Sequence, residues 1–560
     1  MYEYNGDWIN RRVWAFFIPG LIATISITLS MFLDILLVGR MVGPMEMGAV
    51  QMAMPVTMLF NMIYMLLGTG GEVLVASAKG ERDPARANTI FTLTMAAALL
   101  TGAAVAVLGS LFAAQTAAFL DKGNAEMTPL VARYIRIMFL GAPIIIGVMS
   151  CTPFVKADAM PKLSAFVAVF SNIVNIVSKM IYMGPLKLGL DGAALGTVTG
   201  YAAGLALLSL CYLLNGEKRV LRFVPLSAKD FKKVGDIFLT GLPSSLGQGL
   251  GALNALVSNA IVLSIAGSKG IVALTVASSC TIFISSFRYA SPMAIVPLVG
   301  AMYGERDWWS MIQTAKRVLF ICIAGTALCV LFFELFPKEV LLAFGVKDKA
   351  VMAMGVTALR FFSLNVLFTV MIHIIMTYYQ TTGRKTVSIA ISAGTELADI
   401  ACRYLCGMIF GLIGVWASPL LGSALLLISI YGYARWVEKK TAGAEISYHG
   451  AFLLHERAPA FVEKNTLIPD KQNVLAFAEQ ERAFIEKSGA SAEAAKKAGT
   501  LIEEALLQII AKNSAHIKSV DVMTVVWKGG INIRLRDDGP KFAAAQNKND
   551  SITHASIIGY

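Results

Sequence analysis

Long apolar runs separated by short polar stretches fill the first 440 residues of the chain. A run of about 20 apolar residues crosses the hydrocarbon core of a bilayer as a helix. Twelve such runs can be marked. The first spans Pro19–Gly39 and the second Met47–Ala76; the others cover about 90–112, 135–155, 163–183, 192–214, 237–265, 271–300, 315–336, 353–379, 386–410 and 412–434. The breaks between them are charged, as in Lys79–Ala87 (KGERDPARA), Lys156–Lys162 (KADAMPK) and the basic connector 215–235. The first run carries a single ionisable residue, Asp34, in its second half. A carboxyl group at that depth costs roughly 2.5–3.5 kcal/mol and normally faces a cavity or a partner. Asp34 is therefore the leading candidate for a working group, although Arg40 nearby also fits a residue close to the headgroups.

The pattern changes after Lys440. Residues 441–465 read as a linker. Helices are expected over Asp470–Lys487 and Ser491–Asn513, the second with an apolar stripe at Leu501, Ala505 and Ile509. Two strands, Val520–Trp527 and Ile531–Arg536, follow around Lys528-Gly529-Gly530. The expected fold class is an all-α membrane protein of twelve transmembrane helices in two six-helix repeats, with a small α+β domain at the C-terminal end. The divisions are 1–214, a connector 215–235, 236–440, the linker 441–465 and the domain 466–560.

Composition supports the membrane assignment. The 560 residues are 56% hydrophobic and 15% charged, where soluble proteins carry about 25% charge. The net charge of +12 lies mostly in the membrane part, as short basic loops on one side would give, so it does not point to nucleic acid. With the N-terminus inside, the loops near Lys79, Lys156, Lys218–Lys233, Arg306, Arg384 and Arg435–Lys440 hold the greater share of Lys and Arg. Both ends of the transmembrane part are then cytoplasmic, in the plasma membrane. The seven cysteines form no CxxC and have no histidine at metal spacing, so they read as packing residues. No signal peptide is expected, because Arg11 and Arg12 lead into a span too long for an h-region.

The two halves repeat. At an offset of 224 residues Pro19 falls on Pro243, Gly43 on Gly267 and Arg136 on Arg360, and Gly80-Glu81-Arg82-Asp83 falls on an identical Gly304-Glu305-Arg306-Asp307. Matches at one offset in one topological place indicate duplication. An even number of spans per half makes the repeats parallel, which suits a transporter with a central cavity.

These pieces resemble the MATE (multidrug and toxic-compound extrusion) transporters. The resemblance rests on Pro19 followed by Asp34, the spacing of Gly39 and Gly43, the two GERD loops, the Asn-rich SNIVNIVSK (Ser171–Lys179) and GLDGAALGT (Gly189–Thr197). It implies two lobes working by alternating access, and efflux of organic, often cationic or amphipathic compounds driven by protons or sodium. It also implies that Asp34 works with polar residues of the fifth span. There the position resembling the family's second Asp is Lys179, while Asn172 and Asn175 share its helix face. Lys179 becomes a natural counter-charge for Asp34, or snorkels to a surface. In the second half Glu396, Asp399 and Arg403 share a helix face, as an ion or substrate site or as a packing network. Arg288 and His373 also lie within spans. Asp34 falls on Ser258, so the coupling chemistry is not symmetric. A methionine-rich second span (Met45, Met47, Met52, Met54, Met58, Met62, Met65) suits either packing or a promiscuous apolar site.

The tail resembles the histidine-kinase and anti-sigma-factor type of ATP-binding domain, through IEEALLQII (Ile502–Ile510) and RLRDDGPKF (Arg534–Phe542). That likeness implies nucleotide-binding positions at Glu504, Gln508, Asp537 and Gly539. The Mg²⁺-holding Asn of that type is Gln508 here, and its second box glycine is Lys541, which removes room for phosphate. A degenerate regulatory or assembly module without ATP or Mg²⁺ is the favoured reading. The whole is read as a gradient-driven exporter and not an enzyme. Its expected partners are a small organic substrate, the bilayer and a cytosolic protein for the tail, around a monomeric transport unit. The alternatives are a sensor whose membrane part controls the tail, and a lipid or saccharide flippase. Substrate, coupling ion and direction are open from sequence.

Overall fold

A computed structural model describes residues 7–120, 126–214, 221–343, 346–442, 446–457, 461–467, 470–513, 520–527, 530–537 and 557–559. Among them nine helices are long and apolar enough to cross a membrane. A tenth span is formed if the bent pair Thr128–Leu140 and Ala142–Ala157, which meet at 53°, is taken together. The twelve expected runs do not appear as twelve separate helices. The seventh and eighth lie largely in one helix, Lys233–Ile284, with a left-handed break at Gly267 (φ 61°), continued by Ser286–Gly304. The eleventh and twelfth lie in Lys385–Thr441, broken at Gly411 (φ 58°). Only glycine takes such a φ without strain. The second run is subdivided into Pro44–Met52, Met54–Tyr64, a π-helical turn Met65–Thr69 and Gly70–Gly80.

The chain forms two compact units. The larger, Val13–Trp436 with 450–452, holds the spans. Each half has its own apolar core: Phe60, Leu67, Ile135 and Phe154 in the first, Val262, Ala277, Phe362 and Trp416 in the second. The halves meet along Gly70–Gly80 and Ser286–Gly304. A Cβ on Gly80 would lie 2.0 Å from the Ala301 carbonyl oxygen, and one on Gly304 would lie 2.1 Å from that of Ser77. These contacts are reciprocal, because Ser77 and Ala301 stand at the repeat offset. Small residues let membrane helices approach to backbone distance.

The two GERD loops have one structure. Arg82 (φ 58°) and Arg306 (φ 59°) are left-handed. Asp83 then accepts a hydrogen bond from the Arg86 backbone N–H and caps Pro84–Leu111. Asp307 accepts from Ser310 and caps Trp308–Leu335.

The smaller unit is residues 1–12 with 437–449 and 453–560. Part of the stretch expected to be a linker is ordered. Strands β1 (Ile446–His449) and β2 (Leu454–Arg457) pair antiparallel within it, and β3 (Phe461–Leu467) begins there. Short polar strands give no period to detect. β3 pairs antiparallel with β4 (Val520–Trp527), and β4 with β5 (Gly530–Asp537); the short β6 (Ile557–Gly559) runs parallel to β5. Helices Lys471–Lys487 and Ala492–Asn513 pack on each other and on this sheet, through Phe477, Ile502, Leu506, Ile509 and Val522. Glu481 is buried at its centre, accepting from Thr524 Oγ1 at 2.5 Å and from Asn465 Nδ2 at 2.9 Å. Burial pushes its carboxyl up from the ordinary range, and those two hydrogen bonds act against the rise.

Candidate functional site

The first helix, Asp7–Met41, carries Asp34, and the helix Pro161–Met183 carries Asn172, Asn175 and Lys179 on one face. Lys179 Nζ lies 2.8 Å from Asp34 Oδ1, with the lysine side chain 3% exposed and the aspartate 23%. Lys179 points inward from near the C-terminal end of its helix and does not snorkel. Tight packing enforces this, since a Cβ on Gly196 would lie 2.4 Å from Lys179 Cγ. Asn172 Nδ2 donates to Ser26 Oγ at 3.1 Å. Asn175 is buried, and its Oδ1 accepts no hydrogen bond. Below the ion pair, a cavity of about 140 Å³ lies between Pro19, Ala23, Tyr64, Lys156, Asn172 and Met293. Asn172 lines it, while Asp34 and Lys179 do not. None of the seven methionines singled out in the second span lines it either; Met149 and Met293 do.

In the second half the cluster gains a member. Asn254 Nδ2 donates to Glu396 Oε2 at 2.9 Å and to Asp399 Oδ2 at 2.8 Å. Arg403 NH2 reaches both oxygens of Asp399, at 3.0 and 2.7 Å. Ser258, the counterpart of Asp34, donates to Asn254 Oδ1 at 3.2 Å. Arg288 and His373 lie on other helices of this half, with the Arg288 guanidinium 4.9 Å over the Tyr289 ring. Among the described residues no group of three His, Cys, Asp or Glu side chains is placed to hold a metal ion.

A second buried ion pair escaped the sequence reading. Lys156 Nζ lies 3.3 Å from Glu72 Oε1, the side chains being 7% and 4% exposed. Glu72 is the one acid inside the second span, so the argument that found Asp34 would have found it. Lys156 falls in the stretch expected to be a loop, but the helix Ala142–Ala157 runs two residues past the expected end of the span.

In the tail, Glu504 is exposed and Gln508 half-buried on Ala492–Asn513. Asp537 ends β5. Gly539 and Lys541 lie outside the described residues.

The MatE family model matches residues 19–181 and 243–425. The chain belongs to the MATE family. The two matched stretches are the two halves defined by the repeat. The chain is 22% identical over 431 residues to the multidrug export protein MepA of Staphylococcus aureus (strain MRSA252), covering 77% of this chain and 94% of that protein. It is 23% identical over 439 residues to MepA of Staphylococcus haemolyticus, covering 76% and 93%. Among solved structures, it resembles an outward-facing multidrug resistance MATE transporter of the MOP superfamily (TM-score 0.71, 22% identity, 76% of this chain and 95% of that one). It also resembles the Vibrio cholerae MATE transporter VcmN (TM-score 0.71, 16% identity, 80% and 99%). The protein is thus a multi-pass membrane protein of a transporter family, and not an enzyme. The family match ends at residue 425, before the tail.

Proposed function

We propose that this MATE protein is a secondary transporter that exports small amphipathic organic compounds by alternating access, coupled to a proton or sodium gradient through the Asp34–Lys179 pair. The observation that carries this reading is the pair itself: a buried lysine on one helix held to a carboxylate on another. Opening it would leave a charge unpaired in a medium that penalises one, so a proton, ion or substrate that replaces one partner changes how the two helices pack. Its multidrug-exporting relatives support the direction.

We read the long helices broken at Gly267 and Gly411 as two spans each, which gives twelve spans and both termini in the cytoplasm. The close contact of Gly80 with Gly304 then seals the cytoplasmic end. Asp34→Asn in proteoliposomes, with proton and sodium gradients imposed separately and cationic dyes as cargo, should abolish gradient-driven transport by the protein that remains folded. Undiminished transport would remove Asp34 from the mechanism.

A tail that regulates transport is a second reading, and one contact favours it. The Arg536 guanidinium lies 4.7 Å over the ring of Trp8, at the start of the helix that carries Asp34. Deleting residues 441–560 tests this. Transport unchanged by the deletion removes any regulatory role.

A further inference from the structure

Lys156 stands apart from Asp34 and Lys179, and the proposed coupling makes no use of it. Of the side chains that line the cavity, it is the charged one. Asn172, Thr152 and the phenols of Tyr64 and Tyr201 add neutral polar groups, and the remaining wall is mostly apolar. A lysine ammonium has three N–H donors. Those of Lys156 meet Glu72 Oε1 and Oε2 at 3.3 and 3.5 Å, and Met293 Sδ at 3.0 Å. Charge-assisted bonds are normally about 2.7–2.9 Å, and a thioether is a weak acceptor. Good acceptors are therefore lacking around a buried cation on the wall of an apolar chamber. Glu72 Oε1 likewise receives no hydrogen bond. Glu72 follows closely on the π-helical turn Met65–Thr69, a feature frequent at functional sites.

We infer that Lys156 binds the anionic head of an amphipathic ligand whose apolar body fills the cavity, and that Glu72 takes up a proton as the ligand enters. This rests on the transport reading above and names the substrate class for that site. The proton follows from charge balance. Lys156 and Glu72 together are neutral. An added anion would leave a buried net negative charge, which is costly, and protonation of Glu72 restores neutrality. The anion and the proton then occupy the site as one neutral unit.

Among the described residues, the ionisable groups that face Glu72 are Lys156 and Tyr64. Among the described residues on its own helix and those packed around it, Lys79 pairs with Asp158, Arg86 with Glu81 and Asp236 with Lys385, and Arg288 lies over the Tyr289 ring. The size of the body follows from the volume. A cavity of about 150 Å³ holds benzene, so a one-ring body fits.

The test is equilibrium binding of labelled 3-phenylpropionate and of its neutral amide, 3-phenylpropionamide, to the full-length protein in lipid nanodiscs. The carboxylate should bind about tenfold more tightly than the amide, about 1.4 kcal/mol. Its affinity should rise as pH falls, with the slope of one proton. Lys156→Met should erase the preference while the amide still binds. Glu72→Gln should bind the carboxylate more tightly at mildly alkaline pH and lose the pH dependence. A purely structural ion pair predicts the reverse for Glu72→Gln, weaker binding. Equal affinity of the wild type for carboxylate and amide, or weaker carboxylate binding by Glu72→Gln, overturns the inference. A protein that exports cationic dyes but ignores carboxylates sinks this inference alone and leaves the role of Asp34 standing.

Discussion

The two halves put their bases in the same place and their acids on opposite walls. At the 224-residue offset Asn172 corresponds to Glu396, Asn175 to Asp399 and Lys179 to Arg403. In the first half that helix supplies two amides and a lysine, and the acid, Asp34, comes from the first helix. In the second half the same face supplies two acids and an arginine, and an amide, Asn254, comes from the helix across. Duplication has kept the geometry and exchanged the chemistry. The strap between helices is an ion pair in the first half. In the second half the ion pair closes within one helix, Asp399 to Arg403, and the strap is an amide bridging two carboxylates. Separating the helices should therefore be more sensitive to charge in the first half.

The largest expected effect tests that difference. Removing one partner of a buried pair costs about 3–5 kcal/mol. Lys179→Met leaves Asp34 without its cation, and the partial exposure of Asp34 sets the loss near about 3 kcal/mol, the lower end of that range. Arg403→Met leaves Asp399 the hydrogen bond from Asn254, so its loss should be the smaller of the two. Adding Asp34→Asn to Lys179→Met should recover most of the stability. Unfolding in detergent, followed for all three variants, measures this. Equal losses for Lys179→Met and Arg403→Met would break the contrast between the halves.

The seam should show the opposite, equality. Gly80→Ala and Gly304→Ala each drive a methyl group into a carbonyl oxygen of the other half. Overpacking of this kind costs about 1–3 kcal/mol, and the reciprocal geometry makes the two losses alike. The same unfolding assay reads them. A tolerated alanine at one position and not at the other would show that the seam is not symmetric in solution.

Periodicity and duplication carried much of this architecture, because membrane spans and repeats are written locally in the chain. Spacing placed Asn172, Asn175 and Lys179 on one face. It could not say that Lys179 turns toward Asp34, which depends on how two distant helices pack. Glu72 was accessible to the rule applied to Asp34. Its partner was hidden because the end of a span is blurred by two residues, and those two moved Lys156 from a loop into the interior. Asn254 gave no warning, since an amide becomes a strap only when acids arrive from elsewhere. The identity of the two GERD loops was visible, but its reason was not. A left-handed arginine and a capping aspartate are backbone properties, and each half needs both to turn sharply into its third span.

That reason supplies the smallest and most symmetric test. Asp83 and Asp307 accept from backbone N–H groups three residues on, at 2.8 and 3.2 Å. Losing such a cap costs about 1 kcal/mol, so Asp83→Ala and Asp307→Ala should lower stability by similar small amounts, and Asn at either position should restore most of it. Asp307 is the more buried of the two, and a neutral amide is cheaper to bury than a carboxylate, so the Asn variant there should recover at least as well as at Asp83. If Asp83→Ala were neutral while Asp307→Ala was severe, the shared tetrapeptide would be doing different jobs in the two halves. The charge exchange seen in the lobes would then extend to their loops.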